Sequence, residues 1–318
     1  MNLYEIYQPI RNNLEKVEKI LEEKIPVNNS FLKEINSYLF SPVSRGKRLR
    51  PALVLFSSKL NHGNNNKEII SLAVALELIH TASLIHDDII DGAITRRNQL
   101  TVNEKWGNQV AVLSGDILYA QAFHHLSEIG DPEIIKIITQ TISLMSLGEM
   151  EELRNKNNFC LTEQEYLRIV RNKTAILLST CCRTGALLAG AVKKTATLFS
   201  EYGLNFGLAF QIIDDCLDLV GEKEKIGKPI GLDLKDGKIT LPLIRLFNLL
   251  PAERTKELRQ LSFGRIKNLI LEYRALDYAW EKARKYIAIA KEKLDILAPS
   301  PYRNNFFKLA EYLITRDH

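Results

Sequence analysis

The sequence predicts an all-α protein, on three observations. Apolar residues recur every three or four positions along nearly the whole chain. Sustained period-two alternation is almost absent. The apolar share, 46%, and the charged share, 25%, are those of an ordinary globular chain, so disorder, a collagen-like repeat and a coiled-coil rod are excluded. With 318 residues the chain can bury most of its apolar surface without staples.

The elements follow in order. Residues 3–24 alternate charges with apolar residues at helical spacing and lack the apolar core of a signal peptide. Helices are expected over 29–40 and 49–60, then over 67–91 after an Asn-rich loop at 61–67. The next are 108–129 and 132–154, the second opened by Asp131 as N-cap and Pro132 at the first helical position. After a loop at 154–160, Thr162 with Glu165 three residues on forms a capping box and opens a helix over 163–191. Residues 196–220 continue the pattern, and the glycine-rich polar stretch 221–238 is a long loop. Further helices are expected over 240–250, 252–262, 278–296 and 303–316. No stretch reads as an interdomain linker, so residues 1–318 are expected to form one large helical domain.

Forty-three basic against 38 acidic residues leave a net charge of +5, with the basic residues spread along the chain, so nucleic-acid binding is not favoured. Cys160, Cys181, Cys182 and Cys216 form no C-x-x-C pair and have no histidine cluster beside them, which argues against a disulfide framework or a zinc site and for a reducing cytoplasm. The apolar run 175–192 carries Arg183 and reads as a buried helix, not a membrane span. No targeting segment is evident, so a soluble cytoplasmic protein is expected.

Two aspartate triplets carry the chemistry. Asp87, Asp88 and Asp91 lie in Leu84-Ile85-His86-Asp87-Asp88-Ile89-Ile90-Asp91, and Asp214, Asp215 and Asp218 in Ile212-Ile213-Asp214-Asp215-Cys216-Leu217-Asp218. Each ends a strongly apolar helix. The first and last aspartates, at i and i+4, share a face. Carboxylates this close repel, and their position at helix C-termini runs against the macrodipole. Such a face calls for cations. Hard oxygen ligands with open positions suit Mg²⁺, which keeps waters and takes substrate phosphates.

Basic residues complement them. Lys47, Arg48 and Arg50 open a helix, where backbone N–H groups also attract anions. Arg96 and Arg97 follow the first triplet, Lys173 with Thr174 sits in a mostly apolar helix, and Lys228 and Lys238 lie in the loop after the second triplet. There is no P-loop and no Rossmann glycine pattern. The combination points to a substrate with several phosphates, not a nucleotide, bridged to carboxylates by metal.

From residue 45 to 242 these motifs, in this order, resemble the trans-polyprenyl diphosphate synthase family, most closely its long-chain hepta- and octaprenyl-type members. The resemblance implies one all-α bundle of the isoprenoid synthase type around a central cavity, a homodimer, and the two aspartate motifs facing each other. It implies that Asp87, Asp88, Asp91, Asp214, Asp215 and Asp218 hold Mg²⁺, three ions with substrate bound. By the same resemblance Arg96, Lys173 and Lys228 bind the allylic diphosphate, with Lys238 near it. Lys47, Arg50, His80 and Arg97 bind isopentenyl diphosphate, and Thr174 and Gln211 face the developing allylic cation. Read without the family, His80 also has a plainer reading as a core histidine, though its place one turn before Ser83 and two before Asp87 favours the ligand. Three positions depart from the family pattern, Arg45 and Asn98 where it has glycine and Leu100 where it has proline, and they touch loop shape only.

The implied activity is condensation of isopentenyl diphosphate with an allylic diphosphate. A terpene cyclase or a non-catalytic partner subunit would lack one triplet or the isopentenyl site, and both are intact here. A short-chain synthase and the catalytic subunit of a heteromeric synthase remain as alternatives. Ala82 and Ser83 occupy positions where, in this family, bulky aromatic residues floor the pocket; their small size implies a product of five or more isoprene units, most simply six to eight, with release at a membrane surface or into detergent. The lesser reading makes them tight helix-packing residues.

Overall fold

The computed structural model describes residues 2–23, 29–59, 66–220, 231–251 and 261–315, and these are helical apart from one short hairpin. In order come α1 (Leu3–Tyr7), a 3₁₀ turn (Gln8–Ile10), α2 (Arg11–Glu23), α3 (Ser30–Leu39), α4 (Leu49–Lys59) and α5 (Asn66–Ile90). The hairpin β1 (Thr95–Arg96) and β2 (Gln99–Leu100) precedes α6 (Val102–Trp106), α7 (Asn108–Ile129) and α8 (Pro132–Arg154). Then come α9 (Glu163–Val170), a π-turn (Arg171–Ala175), α10 (Ile176–Leu188) and α11 (Lys193–Val220). The last described elements are α12 (Leu232–Lys235), α13 (Leu241–Leu249), α14 (Phe263–Glu272), α15 (Ala275–Asp295) and α16 (Pro301–Thr315).

The all-α expectation holds, and both expected helix starts are built as the sequence implied. Asp131 accepts from the amides of Glu133 (2.8 Å) and Ile134 (3.1 Å). Thr162 and Glu165 close a reciprocal capping box. The first helix differs: Pro9 imposes a 3₁₀ turn that divides 3–24. The expected helix 163–191 is interrupted by the π-turn and ends at Leu188. Residues 263–272 form a helix that periodicity did not single out. The expected helix 252–262 and the loop 221–230 fall almost wholly outside the described residues.

Two compact units divide the chain. Met1–Gln140, Thr180–Ser200 and Leu297–Leu309 form the first, and Thr141–Ser179, Glu201–Ile296 and Ala310–His318 form the second. In the first, α5 packs against α7, α4 and α2. Its side chains are apolar on every side, so it is buried on every side: Leu72, Ala73, Ala75, Leu76 and Ile79 have no exposed surface. This helix is long and apolar enough to cross a membrane, more so than the run 175–192, yet most of it lies inside the unit. In the second unit, α13 packs on α15 and α9, and α14 on α15.

Candidate active site

In the first unit the triplet ends α5. Asp87 and Asp91 are half-buried, whereas Asp88 is only 5% exposed. Helical geometry explains the split: i and i+4 share a face, and i+1 is turned by about 100°. Asp88 is gripped by Arg96, whose Nε lies 2.9 Å from both carboxylate oxygens and whose Nη2 lies 2.7 Å from Oδ1. Beside Asp87, Tyr119 on α7 has its phenol pushed up to about 12, first by burial and then by Asp87 and Asp116. Gly115 makes room for His86: a Cβ there would fall 2.2 Å from His86 Nε2.

Arg96 belongs to the hairpin, which closes on Arg97 and Asn98. Both have positive φ, 52° and 61°, as a two-residue type I′ turn requires. The Arg97 guanidinium then lies across Gly46, where a Cβ would meet it at 2.6 Å, and donates to the Ser44 carbonyl at 2.6 Å. The two basic segments are therefore docked on each other. Ser44, Arg48, Arg96 and Arg97 line one pocket with Glu77, His80 and Asp88.

His80 is nearly buried, and burial, followed by Arg50, Arg97, Arg96 and Arg48, holds its pKa well below the ordinary imidazole value. It is a neutral ring among cations. Arg50 Nε is buried without a hydrogen-bond partner among the described residues. Lys47 is exposed, and its carbonyl accepts from Tyr7 (3.0 Å). Arg48 does something else. It is buried, with φ of 49°, and pairs with Glu18 (2.7 Å) and Glu77 (2.8 Å). Of the chain-length candidates, Ala82 is 0% exposed and packed closed, while Ser83 is partly open and donates to the His80 carbonyl at 2.9 Å.

In the second unit, the π-turn presents Lys173 and Thr174. Its backbone passes too close to two helices for any side chain there: a Cβ on Gly148 would lie 2.6 Å from Lys173 N, and one on Gly207 2.5 Å from Ala175 Cα. Lys173 pairs with Glu149 (2.6 Å) and Glu152 (2.5 Å), and Lys238 lies 3.6 Å from Glu152. Asp214 and Asp218 are half-buried, and Asp215 is the 5% exposed middle member, as in the first triplet. Asp218 accepts from the amides of Leu232 (3.3 Å) and Asp233 (3.2 Å). Asp215 accepts from Tyr166 Oη (2.6 Å) and Gln211 Nε2 (2.8 Å), and Thr174 donates to Gln211 Oε1 (2.9 Å). Burial and then Asp233 push the Asp215 carboxyl well above the usual range, against those two hydrogen bonds. Lys228 lies outside the described residues.

Among the described residues, no three of His, Cys, Asp or Glu converge as a self-sufficient metal site. Each triplet instead offers two half-buried carboxylates on one helix face. That donor set fits a hard cation completing its shell with water and phosphate.

The family model described as Polyprenyl synthetase matches residues 29–268. The chain belongs to that family. It is a prenyltransferase with the all-α isoprenoid synthase fold, and this family works with divalent metal ions. The chain is 33% identical over 316 residues to the heptaprenyl diphosphate synthase component 2 of Bacillus subtilis, spanning 96% of this chain and 89% of the relative. It is 34% identical over 334 residues to the geranylgeranyl diphosphate synthase of Methanosarcina mazei, spanning 100% of both. A solved polyprenyl synthase from Caulobacter crescentus, complexed with calcium and isoprenyl diphosphate, superposes with a TM-score of 0.93 at 29% identity, over 100% of this chain and 98% of that one.

Sequence reasoning missed Glu77, Glu18, Tyr166 and the Glu149–Glu152 pair. Glu77 had a signal, a single acid in the apolar run of α5. Tyr166 had none, because its partner lies 49 positions away.

Proposed function

We propose that this prenyltransferase elongates an allylic diphosphate with isopentenyl diphosphate to an all-trans product of at least five isoprene units, most simply six to eight. The observation that carries the reading is a matched pair of aspartate triplets, each with its i and i+4 carboxylates half-buried at the end of an apolar helix, together with a pocket of arginines around a neutral histidine. Of the six aspartates expected to hold Mg²⁺, Asp87, Asp91, Asp214 and Asp218 would be the ligands, three ions with substrate bound; Asp88 and Asp215 are buried and already bonded, to Arg96 and to Tyr166 and Gln211. When bound, the metal neutralises charge on the leaving diphosphate.

The chain's own groups do the rest. Lys173, Lys228 and Lys238, with Arg96, receive the allylic diphosphate and stabilise it as it departs. Lys47, Arg50, His80 and Arg97 hold isopentenyl diphosphate, its alkene within reach of the allylic carbon. Arg50, with a buried donor lacking a partner, supports an anion there. The allylic C–O bond breaks with its electron pair leaving on diphosphate. The alkene attacks the cation, and the proton then lost passes to the departed diphosphate. Thr174 and Gln211 offer oxygens to the cation.

We place all 318 residues in one catalytic domain acting as a homodimer in the cytoplasm. The product is apolar and is released at a membrane surface. A second reading is that the chain is the catalytic subunit of a heteromeric synthase, which the name of the Bacillus subtilis relative favours. A short-chain product is the remaining alternative, favoured by the Methanosarcina mazei relative.

Asp87→Ala and Asp214→Ala should each lower the rate on the order of 10²–10³, about 3–4 kcal/mol. Lys47→Ala should raise KM for isopentenyl diphosphate, and Lys228→Ala that for the primer. Near-normal turnover of either folded aspartate variant, or equal effects of both lysine variants on both substrates, contradicts the assignment.

A further inference from the structure

In the second unit a buried chain of hydrogen bonds leads from Tyr166 to the two groups assigned to the allylic cation. Tyr166 is 4% exposed and Asp215 5%. Gln211 Nε2 donates to Asp215 Oδ1 at 2.8 Å, so the end of the amide turned to Asp215 is its NH₂. The other end of that amide, Oε1, must then accept, and the hydroxyl 2.9 Å away on Thr174 supplies the hydrogen. Thr174 has only one hydrogen. Once it is given to Gln211, only lone pairs remain on Oγ1. Tyr166 and Gln211 both donate into Asp215, and low local dielectric strengthens each link.

The backbone supports the same arrangement. At 100° per residue, Tyr166 and Thr174 would stand roughly 80° apart around a regular helix. The π-turn at Arg171–Ala175 winds more slowly than a regular helix and so reduces that separation. Gly148 and Gly207 leave room for that turn, since a Cβ at either would clash with it.

We propose that Tyr166 is a positioning residue that, through Asp215, orients Gln211 and Thr174 so that they present oxygen lone pairs and no hydrogen to the allylic carbon. This rests on the prenyl-transfer reading above. It also makes Asp215 an orienting group: both its oxygens are already engaged inside the protein.

Tyr166→Phe removes one hydroxyl. It is expected to lower kcat about ten-fold, with KM for isopentenyl diphosphate and the Mg²⁺ concentration for half-maximal rate each within two-fold of wild type. Asp215→Asn, of equal volume, should lower kcat by at least as much and also leave the Mg²⁺ requirement within two-fold; it decides the matter alone should Tyr166→Phe fail to fold. Wild-type kcat in folded Tyr166→Phe overturns the proposal. So does a ten-fold or greater rise in the Mg²⁺ requirement of Asp215→Asn, which would make Asp215 a ligand. A wild-type protein without prenyl transfer overturns the underlying reading instead.

Discussion

Two adjacent residues on α5 separate chain-length control from packing. Ala82 has no exposed surface, inside a layer that includes Ile79 at 0% and Ile85 at 3%. Ala82→Tyr therefore forces a ring into filled space. Overpacking typically costs 1–3 kcal/mol, and a whole phenol at a closed position belongs at the top, about 3 kcal/mol. At roughly 2–4 °C per kcal/mol for a large domain, Tm should fall by about 6–12 °C. Ser83 is partly open. Ser83→Phe loses the hydrogen bond to the His80 carbonyl, 2.9 Å long and worth about 1 kcal/mol, and its ring is not forced into a fully closed layer. It should keep the fold and shorten the product to three or four isoprene units. The assays are thermal melting by circular dichroism and chromatography of the dephosphorylated products. If Ala82→Tyr melts with wild type and shortens the product while Ser83→Phe leaves it unchanged, the packing argument is wrong. If neither variant shortens it, the pocket floor lies elsewhere.

Three further outcomes are expected. Glu77→Ala leaves Arg48 with Glu18 alone in a buried site and should destabilise by about 3–5 kcal/mol, read as a lower urea midpoint. His80 has its pKa lowered in the native state, so below about pH 6.5 the unfolded chain binds a proton that the folded chain refuses; this contribution to stability is present above pH 6.5 and lost as pH falls, and His80→Gln should flatten the decline in urea midpoint between pH 7.5 and 5.5. Gly207→Ala puts a methyl 2.5 Å from Ala175 Cα, which should cost about 1–3 kcal/mol and lower kcat by displacing Thr174, measured by melting and by initial rate with saturating substrates.

What was legible in the sequence was whatever depends on spacing along one helix. The i, i+4 aspartates, the Asp131 cap and the Thr162–Glu165 box are local, and each stands as read. The hairpin was not legible, because its turn uses Arg97 and Asn98 at positive φ instead of the usual Asn-Gly signal. Its geometry is compensated by contacts to Ser44 and Gly46, some fifty positions earlier. The π-turn was hidden for a related reason: its close approach is admitted by Gly148 and Gly207, on other helices. Arg48 reads as one of three equivalent cations at a helix start, yet positive φ turns it inward to Glu18 and Glu77, so its role is structural where Lys47 stays exposed. Burial also separates the aspartates that spacing alone treats alike, setting Asp88 and Asp215 apart from their neighbours.

The central claim, chain elongation on two aspartate triplets, is tested most directly by one assay. Purified protein is incubated with labelled isopentenyl diphosphate, farnesyl diphosphate and Mg²⁺, and the dephosphorylated products are resolved by reversed-phase chromatography. The account predicts all-trans prenyl alcohols of at least five isoprene units, with one diphosphate released per unit added and none formed when EDTA is present. Unchanged substrates with Mg²⁺ present, or a cyclised hydrocarbon in place of an elongated chain, would contradict it.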